Sequence, residues 1–542
     1  MPSLVQSVDW TALTPVVIPA ALAVAVLVAD LFLPQDRKPL LGRLTVAGLA
    51  AALLTLIPLR DGRRSTFCQT GGASCSYAAD HFTLVIQVLV LGGALLTALL
   101  SLTEVEGRRG APVLKGGDAR QAALPGGEYW FLLLSSAAGG ALLPASRDLA
   151  TLVVALEVTT LPAFALVGLR REDRLSGEAA LKFFLSSVTA TAVSLLGVSF
   201  VYAATGTLHL SAVADGLTHA PGQLETLAKV GAALTLVGFA FKLAVAPFHF
   251  WVPDTYAGAP LPVAAYLSVV GKAAGFSGLI LVTVIAFRPY DDVWGPAMGV
   301  LAALTMTVGN VGALRQRPGT DRSAVRLLAW SSIGQAGYLL VPLAAASSAR
   351  SPAHEIGTTV AYALMYGVVN LGAFAVAALV TRTAPAGRLT DYRGLYATRP
   401  LAALALGFFL LCLAGLPPGV IGLFAKVAVF SSAVGARHGW LAAIMALNVV
   451  IALVYYLRWT ALLFARPDEP ARPAAGSGPA PASAAPAGSF TGPAAGVALP
   501  VGPDLARTPV GLGAAIALTA AAGVVLSGAP QIVLRYAQGS LF

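Results

Sequence analysis

Lysine side chains occur where this chain can least accommodate a charge. Four of the seven lysines fall inside long apolar stretches: Lys182, Lys242, Lys272 and Lys426. The remaining 28 of the 35 basic residues are arginines, and nearly all of them lie in predicted loops. Unlike arginine, lysine can lose its proton when it is removed from water. A buried series of titratable lysines therefore indicates proton movement through a membrane.

One acidic residue lies at comparable depth. Glu157, in TLVVALEVTTLPAF, is the only acid in the middle of a predicted span. An unpaired carboxylate there would be destabilising, so it must be either protonated or paired. We expect Glu157 to pair with Lys242 across neighbouring helices and to keep that lysine protonated. Movement of the carboxylate would then favour release of the proton, which is the switch that a pump requires.

Each lysine has a structural alternative, because a lysine near a helix end can extend its amine to the membrane surface. Lys242, in LVGFAFKLAVAPFHFW, and Lys426 have apolar neighbours, which favours buried functional groups. Lys272, in LSVVGKAAGF, has two adjacent glycines that permit close helix approach or a distorted turn. Lys182, in EAALKFFLSS, lies near the cytoplasmic end of its span, so both interpretations stay open there.

Two further polar residues are candidates for the same path. His249 lies in the run PFHFWVP, where it is either a proton relay or a member of an interfacial aromatic cluster. Gln335, in WSSIGQAGYL, either holds water in a channel or forms a hydrogen bond between helices.

The composition is that of a membrane protein. Apolar residues make up 57% of the 542 residues and charged residues 11%, with a mean hydropathy of +0.78. Uncharged runs of about 20 residues predict transmembrane helices. We count fourteen, centred near residues 24, 50, 92, 138, 158, 191, 240, 273, 304, 335, 368, 416, 452 and 520. The first lacks a basic leader and a cleavage site, so we interpret it as a retained span.

The net charge of +10 does not indicate nucleic-acid binding, because of where the charge lies. Lysine and arginine concentrate in the connections that follow odd-numbered spans. By the positive-inside rule those connections face the cytoplasm and both termini face outward. An even number of spans agrees with this placement.

Two predicted spans contain helix breakers. The seventh continues from Lys242 into PFHFWVP, and the twelfth contains AGLPPGVIGLFAK, which ends at Lys426. Transporters use such broken helices at ion sites, often at equivalent places in two internal repeats. We therefore predict an all-α polytopic membrane protein with two inverted five-helix repeats, spans 4–8 and 9–13. The predicted units are 1–128 (spans 1–3), 129–287 and 288–464 (the repeats), 465–507 (a disordered Pro/Ala-rich cytoplasmic loop) and 508–542 (the final span).

The sequence has no motif for a redox cofactor or a metal. We find no Walker-type phosphate loop, no Rossmann fingerprint and no Cys/His cluster with metal-site spacing. We therefore expect no cofactor in this chain. Cys412 lies in an apolar span, whereas Cys68 and Cys75 share a loop that the topology places outside. A disulfide and two free thiols are both compatible with that loop.

Several stretches between residues 80 and 465 resemble one family. PFHFWVPDTYAGAPLPVAAYLSVVGKAAGF (residues 247–276) is similar to the signature of the antiporter-like subunits of respiratory NADH:quinone oxidoreductase (complex I). ALEVTTLP, EAALKFFL, AWSSIGQAGYLL and AGLPPGVIGLFAK resemble family segments in the same order. The chain resembles subunit N in particular, the bacterial counterpart of mitochondrial NADH dehydrogenase subunit 2. Lys272 stands where subunits L and M usually have histidine, and Lys426 where subunit M usually has glutamate.

The resemblance implies a role for each matching position. Glu157 and Lys242 resemble the pair that gates a half-channel. Lys182 and Lys272 resemble the relay along a central hydrophilic axis, and Lys426 the residue facing the exit. The implied function is proton translocation in a bacterial plasma membrane, coupled to electron transfer from NADH to quinone. FMN, iron–sulfur clusters, NADH and quinone would be bound by partner subunits, which include neighbouring antiporter-like subunits.

Two positions depart from the family pattern. Ala257 stands where Glu or Gln is common, which leaves the polar contacts of that loop open. Gln335 stands where many members have histidine, which weakens a titrating role but not a water-holding one.

Two other functions are compatible with the sequence. One is a subunit of a multi-subunit sodium/proton antiporter, which shares the same ancestry and motifs; Lys272 argues against it. The other is a structural membrane subunit whose buried charges only orient helices. Tolerance of neutral substitutions at the buried charges would favour that second alternative.

Overall fold

The computed structural model describes residues 8–69, 74–106, 124–170, 173–219, 221–349, 351–466 and 508–537. Most of these residues are helical. The α-helices are α1 (Trp10–Phe32), α2 (Pro39–Leu54), α3 (His81–Glu106), α4 (Gly126–Leu142), α5 (Leu149–Val167), α6 (Arg174–Thr205), α7 (Leu210–Thr218), α8 (Gly222–Leu243), α9 (Val252–Gly258), α10 (Leu261–Tyr266), α11 (Lys272–Ile280), α12 (Asp291–Leu314), α13 (Ser323–Ala346), α14 (Pro352–Thr381), α15 (Leu395–Thr398), α16 (Pro400–Ala414), α17 (Val420–Gly435), α18 (Gly439–Phe464), α19 (Val510–Gly528) and α20 (Gln531–Ala537).

Twelve helical segments among the described residues are long and apolar enough to cross a membrane. Each contains one of the predicted span centres. The centre near 138 lies in α4, a helix of 17 residues, and the centre near 416 lies between the shorter apolar helices α16 and α17. The structure thus supports a polytopic helical membrane protein with twelve such segments. The full count of fourteen spans and the inverted relation of the two repeats stay predictions.

Side-chain caps fix where several helices begin. Asp148 and Asp173 precede α5 and α6, and their carboxylates accept hydrogen bonds from the backbone N–H of Thr151 and Leu175. Such caps satisfy N–H groups that have no partner within the helix. Helix α6 ends at Gly206, whose φ of +71° suits glycine. The two helices that carry most of the candidate site therefore have well-defined ends.

Both predicted helix breaks are present. Helix α8 ends at Leu243, and an irregular segment leads from Ala244 to the short helix α9. Helix α16 ends at Ala414, where Gly415 has a φ of +85°, and α17 begins at Val420. Carbonyl groups at both broken ends have no partner within their own helix and accept hydrogen bonds from buried lysines instead: Leu243 O from Lys272, and Leu413 O and Ala414 O from Lys426.

The core of the molecule lies along α13 and α14, whose residues are almost all buried. Helix α11 packs on α8, and α6 packs on both α5 and α8. By contrast α1, α2, α6 and α19 leave large apolar faces exposed. An apolar exposed face of this kind is the surface that a bilayer or a membrane partner covers.

A small β-hairpin joins α2 to α3. Strands β1 (Arg64–Cys68) and β2 (Cys75–Ala79) are antiparallel, with Cys68 opposite Cys75. The two cysteines form a disulfide, which was one of the two alternatives for this loop. Cys412 is a buried free cysteine. The predicted loop 465–507 lies outside the described residues from position 467 onward.

Candidate functional site

Lys242 lies in the last turn of α8 and faces α5 and α6. Its Nζ donates hydrogen bonds to Thr160 Oγ1 at 2.9 Å and to Ser187 Oγ at 2.6 Å. The residue is only 6% exposed. Hydroxyl oxygens replace part of the hydration that an ammonium loses on burial. The structure therefore places Lys242 inside the bundle among polar partners, as a buried functional group requires.

Glu157 lies close to this lysine. Its Oε1 is 3.7 Å from Lys242 Nζ and accepts a hydrogen bond of 2.7 Å from Thr191 Oγ1. The distance to the amine exceeds that of a charge-assisted hydrogen bond. The structure thus brings together the two side chains that the sequence analysis paired, with the carboxylate held by a threonine. Their gating role stays a prediction.

Helical periodicity explains how four polar side chains gather around the contact between Lys242 and Glu157. Glu157 and Thr160 are three residues apart on α5, and Ser187 and Thr191 are four apart on α6. Residues at these spacings lie on the same face of a helix. Each helix therefore contributes two polar side chains to the group of contacts around Glu157 and Lys242.

Lys272 contacts the broken end of α8. Its Nζ donates to the carbonyl oxygen of Leu243 at 3.1 Å, and the residue is 3% exposed. A π-helical segment, Leu267–Gly271, precedes it. An added Cβ at Gly275 would lie 2.8 Å from Leu243 N, so only glycine allows this close approach. Both expectations for the glycines near Lys272, close packing and a distorted turn, agree with the geometry.

Lys426 contacts the other broken helix in a similar way. Its Nζ donates to the carbonyl oxygens of Leu413 at 2.7 Å and Ala414 at 2.8 Å, which are the last residues of α16. The amine also lies 5.6 Å from the ring centroid of Tyr338. Carbonyl groups at a helix C-terminus carry partial negative charge and attract a cation. Two buried lysines therefore lie at two helix breaks.

A network of polar side chains begins one turn before Lys272. Ser268 accepts a hydrogen bond from Asn370 Nδ2 at 2.7 Å through its hydroxyl, and its carbonyl oxygen accepts one from Tyr366 at 3.3 Å. The Tyr366 hydroxyl also bonds Ser332 at 2.9 Å. All these groups are buried where the segment after α10 meets α13 and α14. They extend the polar region from the first helix break toward the second.

Gln335 continues the network one turn further along α13. Its amide donates to the Tyr456 hydroxyl at 3.3 Å and accepts a hydrogen bond from Tyr362. A cavity of about 20 Å³ lies between Gln335, Tyr362 and Lys426. That volume is about the size of one water molecule. The hydrogen bonds of Gln335 match the alternative in which it bonds between helices, and its water-holding role stays a prediction.

His249 lies on the irregular segment between α8 and α9. Its ring lies 5.7 Å from that of Trp330, at an angle of 56°. This contact matches the aromatic-cluster alternative. The relay role of His249 stays a prediction.

Lys182 differs from the other three lysines, because its side chain is 48% exposed. Its Nζ lies 2.8 Å from Glu178 Oε1 and 2.9 Å from Asp254 Oδ2. Asp254 also accepts a hydrogen bond of 2.8 Å from Arg326. Burial raises the pKa of Asp254, but the hydrogen bond from Lys182 and the charge of Arg326 outweigh it, so the pKa is lower than usual. Lys182 is therefore part of a surface ionic network.

This network borders a cavity of about 740 Å³. Arg322 lines the cavity and donates to the carbonyl oxygen of Ala257 at 2.7 Å and to Asp173 Oδ2 at 2.8 Å. Ala257 stands where the family commonly has Glu or Gln, and Arg322 therefore contacts this position through the backbone carbonyl and not through a side chain. Burial raises the pKa of Asp173, but Arg322 lowers it more, so the net pKa is lower than usual. The cavity lies beside the N-terminal part of α6, which carries Lys182, and its wall includes the charged residues Asp173, Asp254, Arg322 and Arg326. We call this cavity the vestibule.

Sequence reasoning missed the hydroxyl and amide partners. Thr160, Ser187 and Thr191 around Lys242, and Asp254 beside Lys182, were not singled out. The spacing of Thr160, three residues after the predicted buried Glu157, could have indicated it. Ser187 and Thr191 have no buried charge at such a spacing on their own helix, so only the packing of α6 on α5 and α8 reveals them. No comparable signal indicates Asp254, because its partners come from distant parts of the chain.

Comparisons with known proteins identify the family of this chain. The profile of the family described as NADH:quinone oxidoreductase/Mrp antiporter, transmembrane, matches residues 146–452. NADH-quinone oxidoreductase subunit N 2 of Streptomyces griseus is 68% identical over 542 residues, covering 100% of this chain and 95% of the relative. The chain belongs to the NADH-quinone oxidoreductase subunit N family. Subunit N of Salinispora tropica is 44% identical over 476 residues, 86% of this chain and 87% of the relative.

Solved structures place the subunit N fold among related membrane complexes. A chain of respiratory complex I from Thermus thermophilus is 31% identical, with a TM-score of 0.69 over 97% of this chain and 100% of that one. A chain of the Mrp complex from Dietzia has a TM-score of 0.76 over 97% and 96% of the two chains, at 22% identity. The second likeness shows a shared fold alone. Sequence identity is higher to the complex I chain than to the Mrp chain, which agrees with membership of the subunit N family.

Proposed function

We propose that protons cross this subunit along a chain of buried side chains that runs from Lys242 through Lys272 to Lys426. As a member of the subunit N family, the chain is a proton-translocating membrane subunit of NADH:quinone oxidoreductase, which couples electron transfer from NADH to quinone to proton pumping. One observation supports the route above all. The three amines are buried, and each contacts oxygen atoms that can stabilise its charged form.

The pair of Glu157 and Lys242 would control release of the proton. A carboxylate close to Lys242 stabilises its ammonium, and a carboxylate further away does so less. The hydroxyls of Thr160 and Ser187 keep the amine in place while the carboxylate moves. From Lys242 the proton would pass to Lys272, which contacts the residue next to Lys242.

The second half of the route would use the polar network between the helix breaks. Ser268, Tyr366 and Gln335 supply hydroxyl and amide groups that lead from Lys272 to the small cavity beside Lys426. Lys426 would then release its proton toward the exit side. Lys182, His249 and the charged vestibule would serve proton entry.

The electron-transfer chemistry would lie in other subunits. We propose that FMN, iron–sulfur clusters, NADH and quinone bind to partner subunits of the complex, and that this chain contributes none of those centres. The chain is a membrane protein. We propose that it lies in the bacterial plasma membrane with both termini outside, because the basic residues of its loops are distributed in that way.

Replacement of Lys242 by methionine tests the proposed route. In vesicles energised by NADH, Lys242→Met is expected to reduce proton pumping to the level of an uncoupled sample, because methionine fills the space without carrying a proton. Lys229→Met is the matched control: Lys229 lies on the same helix but is exposed and paired with Glu225. Assembly of the complex is verified in both variants. Full pumping in an assembled Lys242→Met complex would overturn the proposal.

A further inference from the structure

Thr191 is bonded in an unusual way for a threonine within a helix. A helical threonine commonly donates its hydroxyl hydrogen to the carbonyl four residues earlier. Thr189, two residues before on α6, follows that pattern and donates to Leu185 O at 2.9 Å. The Thr191 hydroxyl instead donates to Glu157 Oε1 on α5 at 2.7 Å. This hydroxyl therefore fixes a carboxylate on another helix.

The bonded oxygen is the same atom that faces the lysine. Glu157 Oε1 is 2.7 Å from Thr191 and 3.7 Å from Lys242 Nζ. A shift of roughly 1 Å would bring it within the distance of a charge-assisted hydrogen bond to the amine. The carboxylate oxygen thus has two competing partners, and the structure shows it bonded to the hydroxyl.

The lysine has hydroxyl partners of its own. Thr160 and Ser187 accept hydrogen bonds from Lys242 Nζ at 2.9 and 2.6 Å. Two sets of hydroxyls therefore satisfy the acid and the base separately. At 3.7 Å the two charges still attract each other, so keeping them beyond hydrogen-bond distance requires such partners.

We propose that Thr191 is a positioning residue that holds the Glu157 carboxylate away from Lys242, and that exchange of Oε1 between the Thr191 hydroxyl and the Lys242 ammonium is the movement that switches the pair. This inference rests on the proposed function, because it assigns the resting position of a carboxylate whose movement the proton route requires. No covalent bond changes in the exchange; one hydrogen bond replaces another.

Three variants of α6 test the proposal in the assembled complex. Thr191→Val keeps the shape of the side chain and removes its donor, Thr191→Ser restores the donor, and Thr189→Val removes a hydroxyl that bonds only its own helix. Loss of one hydrogen bond to a charged group changes an equilibrium by about tenfold. NADH-driven pumping is therefore expected to fall by up to about tenfold in Thr191→Val, to recover in Thr191→Ser and to remain unchanged in Thr189→Val.

A spectroscopic measurement separates positioning from mere packing. The infrared carboxyl band assigned to Glu157 by its absence in Glu157→Gln is expected to shift in Thr191→Val and to return in Thr191→Ser. If valine prevents assembly, Thr191→Ala is measured in its place. An unshifted band with native pumping would overturn the role of Thr191. If Lys242→Met abolishes pumping in the same vesicles, the proposed route survives that result; if Lys242→Met also pumps, the route itself is wrong.

Discussion

The three buried lysines use two kinds of oxygen partner. Lys242 donates to hydroxyls, whereas Lys272 and Lys426 donate to carbonyl oxygens at broken helix ends. A hydrogen bond to a charged group contributes roughly 1.5–3 kcal/mol. Such partners make a buried ammonium tolerable without neutralising it, so a change in the local charge can still favour either protonation state.

Pumping is expected to require a residue at position 426 that can lose its proton, and not only a positive charge there. Lys426→Arg preserves a cation near Leu413 and Ala414 but replaces a group that can lose its proton with one that keeps it. We expect the complex to assemble and NADH-driven pumping in vesicles to be lost. Full pumping by Lys426→Arg would mean that deprotonation at this position is not part of the route.

At the scale of elements, the helix breaks depend on small residues. Helix α11 approaches the end of α8 because Gly275 has no side chain, and this lets Lys272 reach the carbonyl of Leu243. In the second half, Gly415 allows the left-handed turn that ends α16. At each break, carbonyl groups at the C-terminus of one helix accept hydrogen bonds from a lysine on a closely packed neighbouring segment.

Substitution of Gly275 by alanine is expected to disturb this contact. The new Cβ would lie 2.8 Å from Leu243 N and 2.9 Å from Lys242 C, so α11 must move away from α8. Overpacking of this kind costs about 1–3 kcal/mol. Thermal unfolding of the purified complex should show earlier loss of this subunit, and pumping should fall.

Gly177→Ala supplies the control for that experiment. Gly177 lies in α6, and an added Cβ there has no neighbour within 4 Å among the described residues. Alanine at such a helical position is expected to be neutral or slightly stabilising. Equal destabilisation by both variants would show that the close contact at Gly275 is not the cause.

At the scale of the whole molecule, two aspartates beside the large cavity form ion pairs with basic residues from distant parts of the chain. Lys182 on α6 and Arg326 on α13 both bond Asp254, which lies on the short helix α9. Asp173 at the start of α6 bonds Arg322, which precedes α13. The vestibule therefore connects elements from the two predicted repeats through charges that respond to pH.

The Asp254 bridge predicts a pH-dependent stability. The folded-state pKa of this carboxyl lies below its usual value of about 3.9. Its stabilising contribution is therefore fully present above about pH 4 and is lost as the pH falls through the lowered folded-state pKa. Thermal unfolding should show Asp254→Asn less stable than the native complex at about pH 6, with the difference closing at low pH. A difference that does not shrink as the pH is lowered through the titration of this carboxyl would show that the charge is not responsible.

The sodium/proton antiporter alternative predicts a different ion dependence. If the proton route of Lys242 and Lys426 is correct, NADH-driven pumping in vesicles should be the same with sodium or potassium as the bulk cation. Loss of pumping in the absence of sodium, with the complex intact, would favour the antiporter alternative.

The sequence by itself determined the membrane class, the positions of the twelve long apolar helical segments of the described residues, and both helix breaks. These features follow from local properties. An apolar run of about 20 residues predicts a span, and a Pro/Gly cluster interrupts the helix that contains it, whatever the rest of the chain does. The motifs around Lys242 and Lys426 also indicated the family, which the comparisons confirm. The pairing of Glu157 with Lys242 could be inferred because few charges are available at that depth.

Only the tertiary structure decided which groups surround each charge. Thr191 contacts Glu157 across 34 positions of sequence, and Asp254 contacts Lys182 across 72. Periodicity places a residue on a helix face, but the rotation and approach of the neighbouring helix decide which partner it meets. For the same reason only the structure shows that Lys182 belongs to an exposed ionic network, a choice that its sequence left open.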